Sequence, residues 1–313
     1  MEKLIRRIIE RNNPTVVGLD PTLDYIPAQV KAEAFAEYGK TLRGAAHAYL
    51  TYNKAIIDAI CDVVPAVKPQ CAYYELLGWE GVKCLAETIS YAQEKGMYVI
   101  TDGKRNDIGS TMQAYAAAHL GEIEIEGERC VPFGGDALTV NGYLGTDGIK
   151  PLLEVIGDNP DKGIFVLVKT SNPSSGELQD RKLGENETVY AAMGDMCERW
   201  GAGKIGRYGY SKVGAVVGAT YPAQLSELRA RLPHTFFLVP GYGAQGGGAK
   251  DVAGAFDQNG LGGIVNSSRA VLTAWKKTGG DGRDFAQAAR AEAIRMRDDI
   301  TSAIPPTHSP AGI

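Results

Sequence analysis

Three ionisable side chains crowd one short stretch, Asp102-Gly-Lys104-Arg-Asn-Asp107, with Ile108-Gly-Ser-Thr111 following at once. The stretch comes directly after the apolar run Tyr98-Val-Ile-Thr101, so Asp102 closes a buried strand. Residues two apart on a strand point the same way, which puts Asp102 and Lys104 on one face. Asp107 lies beyond the strand end, where the chain can bend and send it elsewhere. Acid, base and acid at a strand terminus are costly to desolvate unless paired. Two readings fit: an ion pair that only closes a strand end, or an ammonium that stabilises developing negative charge and delivers a proton.

Other polar groups recur just past apolar runs. They are Asp20 in Gly18-Leu-Asp-Pro21, Lys68 before Pro69, Thr170-Ser171-Asn172-Pro173, Pro240-Gly-Tyr-Gly-Ala-Gln245-Gly-Gly-Gly248, and Asn266-Ser-Ser268-Arg269. Each has a plain alternative. Asp20-Pro and Asn172-Pro can be turns, and Lys68 a lysine whose stem covers apolar surface. Gly241-Tyr-Gly-Ala-Gln-Gly246 formally matches G-x-G-x-x-G, but the next strand ends in Asn266-Ser-Ser rather than the acid a dinucleotide site requires. A phosphate site fits better: glycines let backbone N–H groups approach an anion, Gln245 adds an amide, and Arg269 offers a planar fork.

Something must bring these groups to one place. Strands are expected at Thr15–Leu19, Ala66–Lys68, Tyr98–Asp102, Ala137–Val140, Gly163–Lys169, Gly214–Ala219, Thr235–Val239 and Gly262–Val265. Near-continuous apolar runs such as Ile164-Phe-Val-Leu-Val168 suit parallel strands buried on both faces. Helical spacing lies between them, for example over Val82–Lys95, Ser110–Leu120, Pro222–Arg231 and Phe285–Ile300. Eight strand–helix units predict an α/β fold, a (β/α)8 TIM barrel, with an open doubly wound sheet as the alternative. In a closed barrel the sites sit at the C-terminal rim, where all the polar clusters above would meet.

The barrel is expected to span residues 1–303 as one catalytic domain, with a turn-prone, unpacked, flexible tail at 304–313. Two helices are expected between Asp24 and Asp62, and a lid over the site between Ser174 and Lys212. Glu122-Ile-Glu-Ile-Glu126 reads as a short excursion before the fourth strand.

Composition narrows the function. The chain has 313 residues, 44% hydrophobic and 22% charged, with a formal net charge of -4. That leaves no basic footprint for nucleic acid. The apolar runs are strand-sized, too short to span a bilayer, and the start lacks a signal-peptide core. A soluble protein of the cytoplasm is expected. Cys61, Cys71, Cys84, Cys130 and Cys197 are widely spaced with no Cys-x-x-Cys, and the four histidines are scattered, so no metal site is expected.

The pattern Asp102-x-Lys104-x-x-Asp107-Ile-Gly-Ser-Thr111 resembles the signature of the orotidine 5'-phosphate decarboxylases, particularly their longer bacterial subfamily (type 2). Gly18-Leu-Asp20, Val67-Lys68-Pro, Thr139-Val-Asn141-x-Tyr-Leu-Gly145, Thr170-Ser-Asn-Pro173, Pro240-Gly-x-Gly-Ala-Gln245-Gly-Gly and Val265-Asn-Ser-Ser-Arg269 extend the likeness over most of the chain in the family's order. Gly103 and Asn106 stand where that family more often has alanine and glycine. Gly142 and Ser174 replace a commoner proline and glycine.

The resemblance implies conversion of orotidine 5'-phosphate to UMP, without cofactor or metal, by a homodimer. It implies Lys104 as proton donor, Asp102 near the substrate carboxylate, and Asp107, Ile108 and Thr111 entering the neighbouring subunit's site. Asp20 and Lys68 would contact the ribose, with Lys68 also extending the charged catalytic array, and Ser171 would contact the pyrimidine. Asn172, Pro240 and Ser268 would line the substrate, with Gln245 and Arg269 on the phosphate. Competing readings are a metal-dependent sugar-phosphate decarboxylase, a Schiff-base aldolase using Lys104 or Lys68, and a nucleotide-binding sensor on a decayed barrel.

Overall fold

A computed structural model of the chain describes residues 1–185, 187–243 and 247–310. Eight strands form its barrel: β1 (Thr15–Leu19), β2 (Ala66–Pro69), β3 (Tyr98–Arg105), β4 (Ala137–Val140), β5 (Gly163–Lys169), β6 (Val213–Val217), β7 (Phe237–Val239) and β8 (Gly263–Ser267). Each pairs in parallel with its neighbours in sequence, and β1 also pairs with β8, so the sheet closes into a barrel. The strands are buried along nearly their whole length because helices cover their outer face while side chains fill the interior.

The core is layered. Val16, Ala66, Tyr98, Ile100, Ala137, Phe165 and Leu238 belong to a cluster that also takes in Leu4, Ile5 and Ile8 of the helix Glu2–Arg11. Several of these residues start their strands, so the helix seals the N-terminal end of the barrel. The remaining open end is the C-terminal rim. Two further clusters lie between the sheet and the outer helices.

The two helices expected between Asp24 and Asp62 are Ala28–Tyr38 and Leu42–Ile60, the second capped by Thr41 Oγ, which accepts from Gly44 N at 3.1 Å. Glu122–Glu126 falls in an antiparallel ribbon, Ile123–Ile125 against Glu128–Cys130. Among the described residues no helix is long and apolar enough to cross a membrane, and all five cysteines are unpaired.

Three expectations change. First, β3 runs on through Lys104 to Arg105 instead of stopping at Asp102. Second, the connection after β5 is not an uninterrupted lid loop: it holds the helix Val189–Gly201, whose Tyr190, Ala191 and Cys197 are buried. Asp195, Glu198 and Arg199 on its outer side make that helix read as a polar loop. Third, the start of the tail packs. Ile304 is buried, and His308 N donates to Asn259 O at 3.1 Å. Gly260, at φ 65°, allows this approach, since a Cβ there would lie 2.4 Å from Pro305 O.

His119, at the end of the helix Gly109–Leu120, is buried and stacks on Phe133 with ring centroids 4.9 Å apart. Its Nδ1 has no partner among the described residues. Burial, with the nearby Arg105 charge, lowers its pKa from 6.5 to about 4. The unfolded chain therefore binds this proton more tightly than the folded one. The stabilisation is complete above pH 6.5 and is lost as the pH falls toward about 4. His119→Leu is expected to flatten this part of the stability–pH curve by about 3 kcal/mol, measured by denaturant unfolding. An unchanged slope would show that His119 is not the group responsible.

Candidate active site

The site begins with an irregularity. Thr101 of β3 aligns with Leu138 of β4 but Arg105 aligns with Val140, so β3 bulges between them. Lys104 sits in the bulge at φ 48°, a left-handed conformation that side-chain-bearing residues seldom adopt. Thr139 holds it there, its Oγ accepting from Lys104 N at 3.0 Å. Asp102 and Lys104 do meet, as alternation suggests, but through a re-aimed backbone rather than a regular strand. Bulges commonly redirect side chains beside active sites.

Asp102 is the hub. Its Oδ2 accepts from Lys68 Nζ at 2.6 Å, and its Oδ1 from Lys104 Nζ and Thr139 Oγ, both at 2.7 Å. The Lys68 and Asp102 side chains are only 6% and 8% exposed, whereas Lys104 is 47% exposed. Burial opposes ionisation of Asp102, but Lys68 and then Lys104 outweigh it and hold the carboxyl well below its ordinary range. Burial likewise opposes the charge on Lys68, and Asp102 and Asp20 overcome it, leaving the pKa raised. Asp20 goes the other way: burial pushes its carboxyl up, with Lys68 only partly offsetting that.

Lys68, Asp102, Lys104, Thr139, Ser171, Asn172 and Pro240 line a cavity of about 430 Å³. Its floor is apolar, with Leu167, Val216 and Leu238. A second cavity of about 400 Å³ is lined by Asp20, Tyr25, Tyr73, Pro240, Ser268 and Arg269. Pro240 belongs to both, so they are two halves of one cleft at the rim. In the second half, Oδ1 of Asp20 and Oδ1 of Asn266 are buried without hydrogen-bond partners among the described residues. Such acceptors call for donors from a ligand or water. Gly18 makes the β1–β8 junction possible, because a Cβ there would lie 1.8 Å from Ser268 Oγ. Arg269 is exposed at the cleft's edge.

Asp107, Ile108 and Thr111 line neither half. Asp107 Oδ1 accepts from Ile108 N at 2.8 Å, and Ile108 and Thr111 are exposed. Gln245 lies outside the described residues. Thr139, Tyr25, Tyr73 and Gln179 were not among the expected site residues, and Asn266, expected at the rim, had no assigned role, though all five help form or line the cleft. Thr139 had a readable signal: a polar residue within the apolar strand Ala137–Val140. The tyrosines had none, since they lie in connections whose course only the fold decides. Among the described residues no group of three or more His, Cys, Asp or Glu side chains could hold a metal ion. At Gly103 an added Cβ would make only ordinary contacts of 3.4 Å. Asn106 Nδ2 donates to Gly148 O at 3.3 Å, tying the end of β3 to the helix Thr146–Ile156.

A closed (β/α)8 barrel whose rim carries a buried Lys68–Asp102 pair holding a half-exposed Lys104, beside an arginine-edged cleft, is the architecture of a barrel enzyme acting on a small anionic substrate. The chain belongs to the orotidine 5'-phosphate decarboxylase / HUMPS family, whose model matches residues 16–279. It is 46% identical over 297 residues to the orotidine 5'-phosphate decarboxylase of Rhodopirellula baltica, covering 94% of this chain and 96% of that one. The protein of the same name from Clostridium perfringens is 44% identical over 303 residues, covering 97% and 98%. Among solved structures, the OMP decarboxylase of Leishmania donovani superposes with a TM-score of 0.73 at 29% identity, covering 96% of this chain and 97% of that one.

The Lys68–Asp102 pair makes a testable point. Asp102→Asn leaves a buried ammonium unpaired and is expected to cost about 3–5 kcal/mol of stability. Adding Lys68→Met should recover much of that loss in denaturant unfolding. In the wild type the Asp102 contribution is complete above the unfolded carboxyl's pKa of about 4 and is lost as the pH falls toward its lower folded value. Equal stability of wild type and Asp102→Asn at neutral pH would show that the pair does not support the fold.

Proposed function

We propose that this chain decarboxylates orotidine 5'-phosphate to UMP, as a cytoplasmic homodimer with one active site per barrel, each barrel formed by residues 1–303. The observation that carries the reading is the Lys104 ammonium, 2.7 Å from Asp102 and open to a cavity with an apolar floor. The family and the named relatives support the substrate.

The chemistry asks for such an arrangement. The bond from the pyrimidine ring to its carboxylate breaks, CO2 leaves, and the electron pair stays on a ring carbon with no adjacent acceptor. A prearranged positive charge stabilises that carbanion. Lys104 supplies it and then gives its proton to the carbon, and solvent restores the ammonium. Asp102 keeps the amine in place and sets a negative charge near the departing carboxylate. At ~4 Å and an effective dielectric of ~20, that repulsion is about 4 kcal/mol and vanishes with CO2.

Ligand contacts follow the two halves of the cleft. Ser171 and Asn172 meet the pyrimidine, and Pro240 stands between the halves. Asp20 and Lys68 bind the ribose, with the unpartnered Asp20 Oδ1 accepting from a sugar hydroxyl. Ser268 lies on the same side, and Arg269 with Gln245 grips the phosphate. Asp107, Ile108 and Thr111 complete the neighbouring subunit's site. The exposure of Ile108 and Thr111, and the separation of all three from this chain's own cleft, support that assignment.

Loss of orotidine 5'-phosphate absorbance without added metal or cofactor tests the activity directly. Lys104→Ala is expected to lower turnover by more than about 10⁴-fold while UMP binding survives. Substantial retained turnover would refute the proton-donor role. Mixing Lys104→Ala protein with Asp107→Asn protein tests sharing across the dimer. After subunit exchange, half of the mixed dimers' sites have both groups intact, and roughly a quarter of wild-type activity should return. No recovery despite proven exchange would mean that Asp107 serves its own barrel.

A further inference from the structure

Lys169, at the end of β5, is absent from the cleft, yet its side chain is completely buried. Along β5, Ile164, Val166 and Val168 pack outward against Tyr190, Ala191 and Cys197, while Phe165 and Leu167 face the barrel interior. Simple alternation would therefore send Lys169 inward beside Leu167. The pairing with β6 slips instead: Leu167 aligns with Val216 and Lys169 with the very next residue, Val217. This bulge turns Lys169 away from the cavity, and its backbone oxygen accepts from Gly218 N at 2.7 Å.

The ammonium so turned is enclosed by the segment that follows it. Nζ donates to Asp180 Oδ1 at 2.7 Å and to Ser175 Oγ at 3.1 Å, and lies 4.3 Å from the centroid of the Tyr221 ring. Gln179, next to Asp180, reaches back to the root of the segment: its Oε1 accepts from Thr170 N at 2.9 Å, and its Nε2 donates to Thr170 Oγ at 2.7 Å. Thr170, Ser171, Asn172 and Gln179 all line the Lys104 half of the cleft. Both ends of one cavity wall are thus tied to one buried charge.

We propose that Lys169 is a positioning residue that sets the specificity wall, holding Thr170–Asn172 and Gln179 where they meet the base of a nucleotide. The inference rests on the reading that this half of the cleft takes a pyrimidine. Breaking the pair would leave a fully buried ammonium without its carboxylate, so the wall is held by an interaction that is costly to lose. Lys169 touches no substrate. It acts through Ser171 and its neighbours.

Two probes separate this role from a general structural one: UMP, and ribose 5-phosphate, which carries the same sugar phosphate without the base. Lys169→Met is expected to weaken UMP binding about 10- to 100-fold while ribose 5-phosphate binding stays within about twofold. Asp180→Asn alters the half-exposed partner and is expected to shift UMP binding the same way by less. That variant decides the matter if Lys169→Met fails to fold. In a Ser171→Ala background the effect of Lys169→Met on UMP should shrink. Equal weakening of both probes, or no weakening of either in Asp180→Asn and Lys169→Met, overturns the proposal. A wild-type protein that separates the two probes as expected but leaves orotidine 5'-phosphate intact would refute the decarboxylase reading and leave the wall assignment standing.

Discussion

A carboxylate buried between two ammonium groups is the constraint around which this molecule is organised. Burial opposes the charge on Asp102 and on Lys68, which is 6% exposed, and each offsets that cost for the other, with Asp20 adding to the support of Lys68. Together they are tolerable because each satisfies the other and Thr139 adds a further donor. Coupling to Lys68 on one side leaves Asp102 able to hold Lys104 on the other, at the border between protein and cavity. The arrangement thus converts an expensive buried pair into a fixed platform for one partly exposed amine.

That platform needs a dry, rigid base and an open top, and the barrel supplies both by treating its two ends differently. The N-terminal end is plugged by Leu4, Ile5 and Ile8 of the first helix. At the C-terminal end β3 and β5 each slip register. One slip turns Lys104 toward Asp102. The other turns Lys169 away from the cavity and into its own loop. Departures from regular pairing are concentrated where side chains must be aimed, and the strained φ of Lys104 is tolerated because Thr139 and Asp102 hold the residue from both ends.

Much of this was readable in the chain. The eight strands stand out because parallel barrel strands are apolar on both faces, and the polar residues at their ends mark one rim because all strands run the same way. Asp20, Lys68, Asp102, Lys104, Ser171 and Arg269 could be picked out on that ground alone. The helix Val189–Gly201 could not: its buried positions are sparse, and its outer face is charged. The packing of Ile304 was equally hidden, since it depends on the turn at Gly260, far away in sequence.

Sequence by itself determined the number and order of the strand–helix units and the set of charged groups delivered to the rim. Those depend on periodicity and on chain direction, which are local. Only the tertiary structure decided which charge pairs with which: that Asp102 takes Lys68 as well as Lys104, that Lys169 turns outward to Asp180, and that Asp107 stays apart from the cleft of its own barrel. Pairing of this kind depends on register slips of a residue or two between neighbouring strands, and a slip is fixed by contacts among segments that the linear chain keeps far apart.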